Sequence, residues 1–313
     1  MSETDVVEGE PAEREALWVR ILEFPLVALV VATVLFAVAS TVAYLILAYQ
    51  PNMRAGAKAV SEAVLNIALL WVVYKLTISH LGDKPIDDLP AKGAWQLTAA
   101  GLVIGFVIFT AVVGVAFLAG SYRITGYGGW SGLLVSLASF SVLPGFREEL
   151  LFRGIFFRWI EEFGGSWAAL LVTSALFGLA HILNPNATWF SSFAIAMEAG
   201  ILLGASYMLT RSLWLPMGLH AAWNFTQGFI FGVPVSGIAA NGIVRSTLSG
   251  PDWLSGGSFG LEASIIAVVI ATGAGLWMLV KAIRRGLLFG PMWTRPSAIV
   301  IPERLKYPEA KLL

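Results

Sequence analysis

A chain of 313 residues with 57% hydrophobic and only 13% charged side chains falls well short of the roughly one-quarter charged content of soluble globular proteins, so lipid must cover much of its exterior. Twenty basic residues balance twenty acidic ones, which gives no support to nucleic-acid binding, since that calls for a basic domain or stripe. Cysteine is absent, and with it disulfides, thiolate metal ligands and a cysteine nucleophile.

The acidic stretch Met1–Glu23 reads as a cytoplasmic N-terminal segment, and the apolar run after it is too long for a signal-peptide core. Crossing the hydrocarbon takes about twenty apolar residues, and the pattern predicts roughly eight such segments. In chain order they are Phe24–Tyr49, Ala59–Ile78, Leu97–Gly120, Trp130–Leu143 (continuing past Pro144), Trp167–Leu183, Trp189–Leu209, Leu213–Val233 and Ser258–Ile283. Trp95, Trp130, Trp167, Trp189 and Trp214 stand near predicted ends, as interfacial aromatics do. The predicted fold is thus all-α, a polytopic membrane domain over residues 24–285 with a peripheral, proline-bearing tail over residues 286–313. Arg14, Arg20, Lys84, Lys92, Arg158, Arg211, Lys281, Arg284 and Arg285 fall on one side of that topology, against Arg54, Lys58, Arg123 and Arg245 on the other. The bias places both termini in the cytoplasm. An N-terminus without transit-peptide character points to a bacterial or archaeal plasma membrane.

Ionisable side chains within apolar spans are costly and therefore candidates for function. The first group is Arg147-Glu148-Glu149, with Arg153 following. On a helix Glu149 and Arg153 share a face in the favourable acid-first order, while Glu148 points about 100° away. One carboxylate can be held by the arginine while the other acts as a general base. The bland reading is a helix end emerging among headgroups, which suits Arg158, Glu161 and Glu162 better. The second group is Phe177 and His181, where a lone histidine is ordinarily a hydrogen-bonded structural residue. The third, His220 and Asn224, places imidazole and carboxamide one turn apart and on its own could be inter-helix glue. His80, the remaining histidine, reads as interfacial, as does Glu62, while Lys75 can snorkel. Glu198 has no assigned place.

Together these residues resemble the CPBP family of intramembrane proteases, which includes the CAAX prenyl endopeptidases. Its pattern of EExxxR, FxxxH and HxxxN on successive helices is met by Glu148-Glu149…Arg153, Phe177…His181 and His220…Asn224. The resemblance spans about residues 130–233 and puts the catalytic core in the fourth to seventh helices. It implies that Glu148 and His181 activate a water, that His220 and Asn224 donate to the oxyanion, and that Arg153 orients Glu149. Glu148, His181 and His220 would also suit Zn²⁺ with an open water position; a metal-independent water needs no such ion, and the latter reading is preferred. The implied substrate is a hydrophobic or prenylated peptide or protein cut near its C-terminus, met in the lipid bilayer.

Other protease classes fit poorly. HExxH and paired intramembrane aspartates are absent, and although Gly129-Trp-Ser131-Gly132 fits GxSG, the HxxxN helix follows that serine where a rhomboid-type order requires it to precede. Non-enzymatic alternatives are a membrane scaffold or immunity-type partner, and a small-solute transporter using Glu198. Counting helix depth from the Gly164-Gly165 turn, at ~1.5 Å per residue, predicts a site in the inner half of the bilayer that opens to the cytoplasm.

Overall fold

A computed structural model describes residues 17–48, 53–82 and 86–294. Most of the predicted N-terminal segment and all of the tail beyond residue 294 therefore lie outside the described residues. The chain begins with a short helix α1 (Leu17–Glu23), followed by α2 (Pro25–Ala48), α3 (Ala55–Leu76) and α4 (Ala94–Leu118). After a strand β1 (Tyr122–Tyr127) comes a helical stretch, Leu133–Leu183, that is 51 residues long. It is two helices: Gly165 interrupts it with φ 84° and ψ 169°, dividing α5 (residues 133–164) from α6 (residues 166–180). A side chain could not replace this glycine, because the conformation is left-handed and a Cβ would meet the Phe289 carbonyl oxygen at 2.9 Å. Next come α7 (Trp189–Thr210), α8 (residues 214–230), strand β2 (Val244–Leu248) and α9 (Ile265–Arg284).

The all-α polytopic fold is as the composition requires, with six helices among the described residues long and apolar enough to cross a membrane. The interrupted Leu133–Leu183 stretch counts once there, and α8 does not reach the length. Exposed apolar side chains such as Val30, Val34, Val38, Val103 and Val107 line the outward faces of α2 and α4, where lipid tails would meet them.

Two boundaries and one pairing differ from expectation. Helix α5 starts at Leu133, not Trp130, and as expected it continues past Pro144. The turns before that proline, Ser136–Val142, are π-helical, and the widened spiral leaves room for a residue that has no N–H to donate. The last span starts at Ile265, not Ser258: Gly256, Gly257 and Gly260 all have positive φ, and Ser264 caps the helix by accepting from the Ala267 N–H. Finally, β1 and β2 pair antiparallel, Tyr122 opposite Leu248, and form a small ribbon at one end of the bundle.

The opposite end, near Gly165, is clamped by buried charge. Asp88 accepts from Tyr207 Oη at 2.9 Å and Tyr74 Oη at 3.2 Å, and Arg158 Nη1 donates to the Ile86 carbonyl at 3.0 Å. Arg211 Nη1 pairs with Glu161 at 2.5 Å. Arg158 and Glu161 are 5% and 7% exposed, so they are internal fasteners and not charges emerging among headgroups. Burial raises the Asp88 carboxyl above the ordinary carboxylate range, against the lowering influence of Arg158 and the two tyrosine hydroxyls.

One contact sets the position of the site. Helices α4 and α8 approach until a Cβ on Gly101 or Gly105 would overlap the Leu215 or Leu219 carbonyl, and one on Gly218 the Thr98 carbonyl. Small residues permit such backbone approach between membrane helices. The T-shaped pair Phe109–Trp223, with centroids 5.0 Å apart, seals the crossing. Helix α8, which carries His220 and Asn224, is thereby fixed in depth and rotation.

Candidate active site

Three histidine-and-acid motifs from three helices meet through one buried arginine. Arg153 Nη1 donates to both Glu149 oxygens, at 2.9 Å each, as the acid-first spacing predicts. Both side chains are fully buried. Arg153 Nη2 reaches the carbonyls of Ala199 and Gly200 on α7 at 3.3 Å each, and its guanidinium carbon lies 4.8 Å from the centre of the Phe177 ring on α6. A planar fork can do all of this at once, which a lysine ammonium cannot.

Glu149 has a second task. Its Oε1 accepts from His220 Nδ1 at 2.8 Å, which places the imidazole proton on Nδ1 and leaves Nε2 as the ring nitrogen available to the interior. His181 Nδ1 lies 2.7 Å from the Phe177 carbonyl oxygen of its own helix, so Nε2 is again the free nitrogen. Phe177 stands between the two imidazoles, with ring centres 4.8 Å from His181 and 6.1 Å from His220. The phenylalanine of the second motif thus orients one histidine through its carbonyl and flanks Arg153 with its ring.

His181, His220 and Asn224 face a common chamber of ≈ 30 Å³, also lined by Glu198, Ser236 and Glu262. A buried water needs ~10–15 Å³ on this measure, so the chamber holds about two. Glu262 Oε1 accepts the Ser236 N–H. Burial, outweighing that hydrogen bond, pushes the Glu262 carboxyl up to about 7. Glu198 is 1% exposed, and its Oε2 has no hydrogen-bond partner among the described residues. Glu148 is half-buried, and its Oε2 is likewise without a partner. It interacts electrostatically with both His220 and Arg153, but it is not part of the chamber wall. Nor are Glu149 and Arg153, which support that wall from behind through His220 and the α7 carbonyls.

Two of these residues were not legible as partners in the sequence. Glu262 was hidden in an apolar run taken as a span, although a carboxylate there is itself a signal. Ser236 contributes its backbone N–H and has no sequence mark. Ser131 of the GxSG motif is exposed in the turn before α5 and takes no part. His181 closes α6 at the end away from Gly165, and the irregular connections after α8 and before α9 bring Ser236 and Glu262 to the chamber. Four π-helical segments, Ser136–Val142, Leu150–Phe157, Ala196–Gly200 and Thr226–Ile230, lie beside or include these residues. Such wide turns are frequent at functional sites.

Among the described residues, no three His, Asp or Glu side chains gather closely enough to hold a metal ion. The donor types of Glu148, His181 and His220 suit zinc, but their placement here does not assemble that set.

Residues 130–226 match the family model described as type II CAAX prenyl endopeptidase Rce1-like. The match covers less than half of the chain and contains Glu148, Glu149, Arg153, His181, His220 and Asn224. No curated protein and no solved structure matches.

Proposed function

We propose that the chain is an intramembrane endopeptidase that hydrolyses a peptide bond of a hydrophobic or prenylated, membrane-associated substrate with a carboxylate-activated water. The observation that carries this reading is the buried Arg153–Glu149–His220 chain of hydrogen bonds set beside Glu148, a carboxylate with an unpartnered oxygen. One acid is committed to holding the histidine; the other is free to take a proton.

In the proposed reaction Glu148, assisted by His181 Nε2, removes a proton from a water as it attacks the scissile carbonyl. Asn224 and the Nε2–H of His220, when that ring carries its second proton with Glu149 as counter-charge, stabilise the developing oxyanion. Donors fixed in advance in a water-poor chamber are worth more than the same donors in water. The chamber admits water but no peptide, so substrate binding must part its walls. The match to that family model supports the substrate class: a lipid-borne peptide can reach a site between helices by lateral diffusion.

The test is Glu148→Gln in the bilayer-reconstituted protein, with a hydrophobic C-terminal reporter peptide. Turnover should fall at least ~10²-fold while the thermal midpoint is kept. Wild-type turnover in that variant would refute the role of Glu148. A chelator series on the same preparation separates a metal-dependent from a metal-independent water.

A further inference from the structure

Peptide hydrolysis needs two proton transfers, and the proposed mechanism so far supplies one. The amine leaves as a poor nitrogen anion unless a proton reaches it, and a chamber with room for about two waters cannot draw that proton freely from bulk solvent. The wall facing His181, His220 and Asn224 carries Glu198. Its Oε2 is buried, and no protein donor or acceptor meets it among the described residues. Leaving such an atom unsatisfied is destabilising.

We infer that Glu198 is the general acid of this site, a catalytic residue that delivers its carboxyl proton to the departing nitrogen. The inference rests on the endopeptidase reading above. Water oxygen bonds to the carbonyl carbon and its proton passes to Glu148. The C–N bond then breaks, its electron pair stays on nitrogen, and nitrogen takes the proton of Glu198. Glu148 is left as the acid and Glu198 as the carboxylate; one proton passed back from Glu148 to Glu198 resets the site.

The surroundings suit a proton carried on Glu198. It shares the chamber with another carboxyl, Glu262, itself fixed by the Ser236 N–H. His181 and His220 line the same chamber. Arg153 is turned to the Ala199 and Gly200 carbonyls beside it, and from α9 Thr272 Oγ1 donates to the Met197 carbonyl at 3.0 Å. None of these gives the Glu198 Oε2 a hydrogen bond. The π-helical turn Ala196–Gly200 directs the residue inward.

The experiment compares two reporter substrates that share one peptide sequence, an amide and a 4-nitrophenyl ester whose leaving group departs without a proton. Glu198→Gln should lower kcat on the amide about 10²–10³-fold with little change in KM, yet keep ester hydrolysis within about threefold of wild type. Retained ester turnover also shows that the variant is folded. Equal loss on both substrates, or amide turnover near wild type, overturns the proposal. If the glutamine variant loses its thermal midpoint, Glu198→Asp decides: it keeps a carboxyl and must hydrolyse the amide faster than Glu198→Ala, and equal rates overturn the proposal. Glu148→Gln must abolish both substrates; if it does not, the reading of the site as a whole fails, independently of Glu198.

Discussion

Removing Arg153 tests whether the site is held together by one buried ion pair. Arg153→Met keeps much of the side-chain volume but leaves Glu149 fully buried with His220 as its remaining partner. Breaking a buried pair on one side costs about 3–5 kcal/mol, because the remaining charge is uncompensated. The two 3.3 Å bonds to the Ala199 and Gly200 carbonyls are long and add about 1 kcal/mol together at most. At roughly 2 °C per kcal/mol, the thermal midpoint in detergent or bilayer should fall by about 6–12 °C. Glu149→Gln alone should also destabilise, by orphaning the arginine. Arg153→Met combined with Glu149→Gln removes both charges, and the double variant should be at least about 2 kcal/mol more stable than the sum of the singles predicts. Cleavage should not recover with stability, since Glu149→Gln replaces the carboxylate that His220 donates to. Additivity within about 0.5 kcal/mol in the double-mutant cycle would refute the claim that the pair acts as a unit.

Three further outcomes follow from the same structure. The Glu262 carboxyl, pushed up to about 7 from 4.5 by burial, favours the folded state when protonated; its contribution should be complete below about pH 4.5, and roughly 3 kcal/mol should be lost as pH rises through 7. Glu262→Gln should flatten that part of the thermal-midpoint profile, and an unchanged profile would refute the assignment. Asp88→Ala, which strips the acceptor shared by Tyr74 and Tyr207, should lower stability by about 1–3 kcal/mol in the same melting assay, and a loss below 0.5 kcal/mol would show the clamp to be incidental. Gly218→Val, whose Cβ would overlap the Thr98 carbonyl, should force α4 and α8 apart and abolish cleavage even where the protein still inserts; full activity would contradict the close crossing.

How far the sequence could be read depended on the kind of information each feature carries. Apolar run length is local, so the helices from Pro25 to Leu118 were legible to within a few residues. The Glu149–Arg153 pair was legible because helical spacing alone places both residues on one face. The span's continuation past Pro144 was legible from the apolar run on either side, whereas the π-helical widening before it depends on what the neighbouring helices allow. The partnership of Glu149 with His220 spans 71 positions in the chain, and no local pattern announces it. Glu262 was lost for another reason. Hydropathy averages over a window, and the glycines at 256, 257 and 260 that end the irregular segment before α9 count there as neutral residues, not as breaks.

Four carboxyls surround this site, and their partners divide them more sharply than their depth does. Glu149 is engaged at both oxygens, by Arg153 and by His220. Glu262 is held by the Ser236 N–H. A carboxyl so engaged is anchored in place by the bonds that define the chamber. Glu148 and Glu198 each keep an oxygen that no described residue satisfies. An unsatisfied buried oxygen is destabilising, and proteins retain such features chiefly where function needs them. The two anchored acids therefore suit positioning, and the two with free oxygens suit proton transfer. They lie on different helices, α5 and α7, so a base at Glu148 and an acid at Glu198 would face a scissile bond from different helices. That separation is what a hydrolysis requires, with water entering on one side of the carbonyl and the amine departing on another.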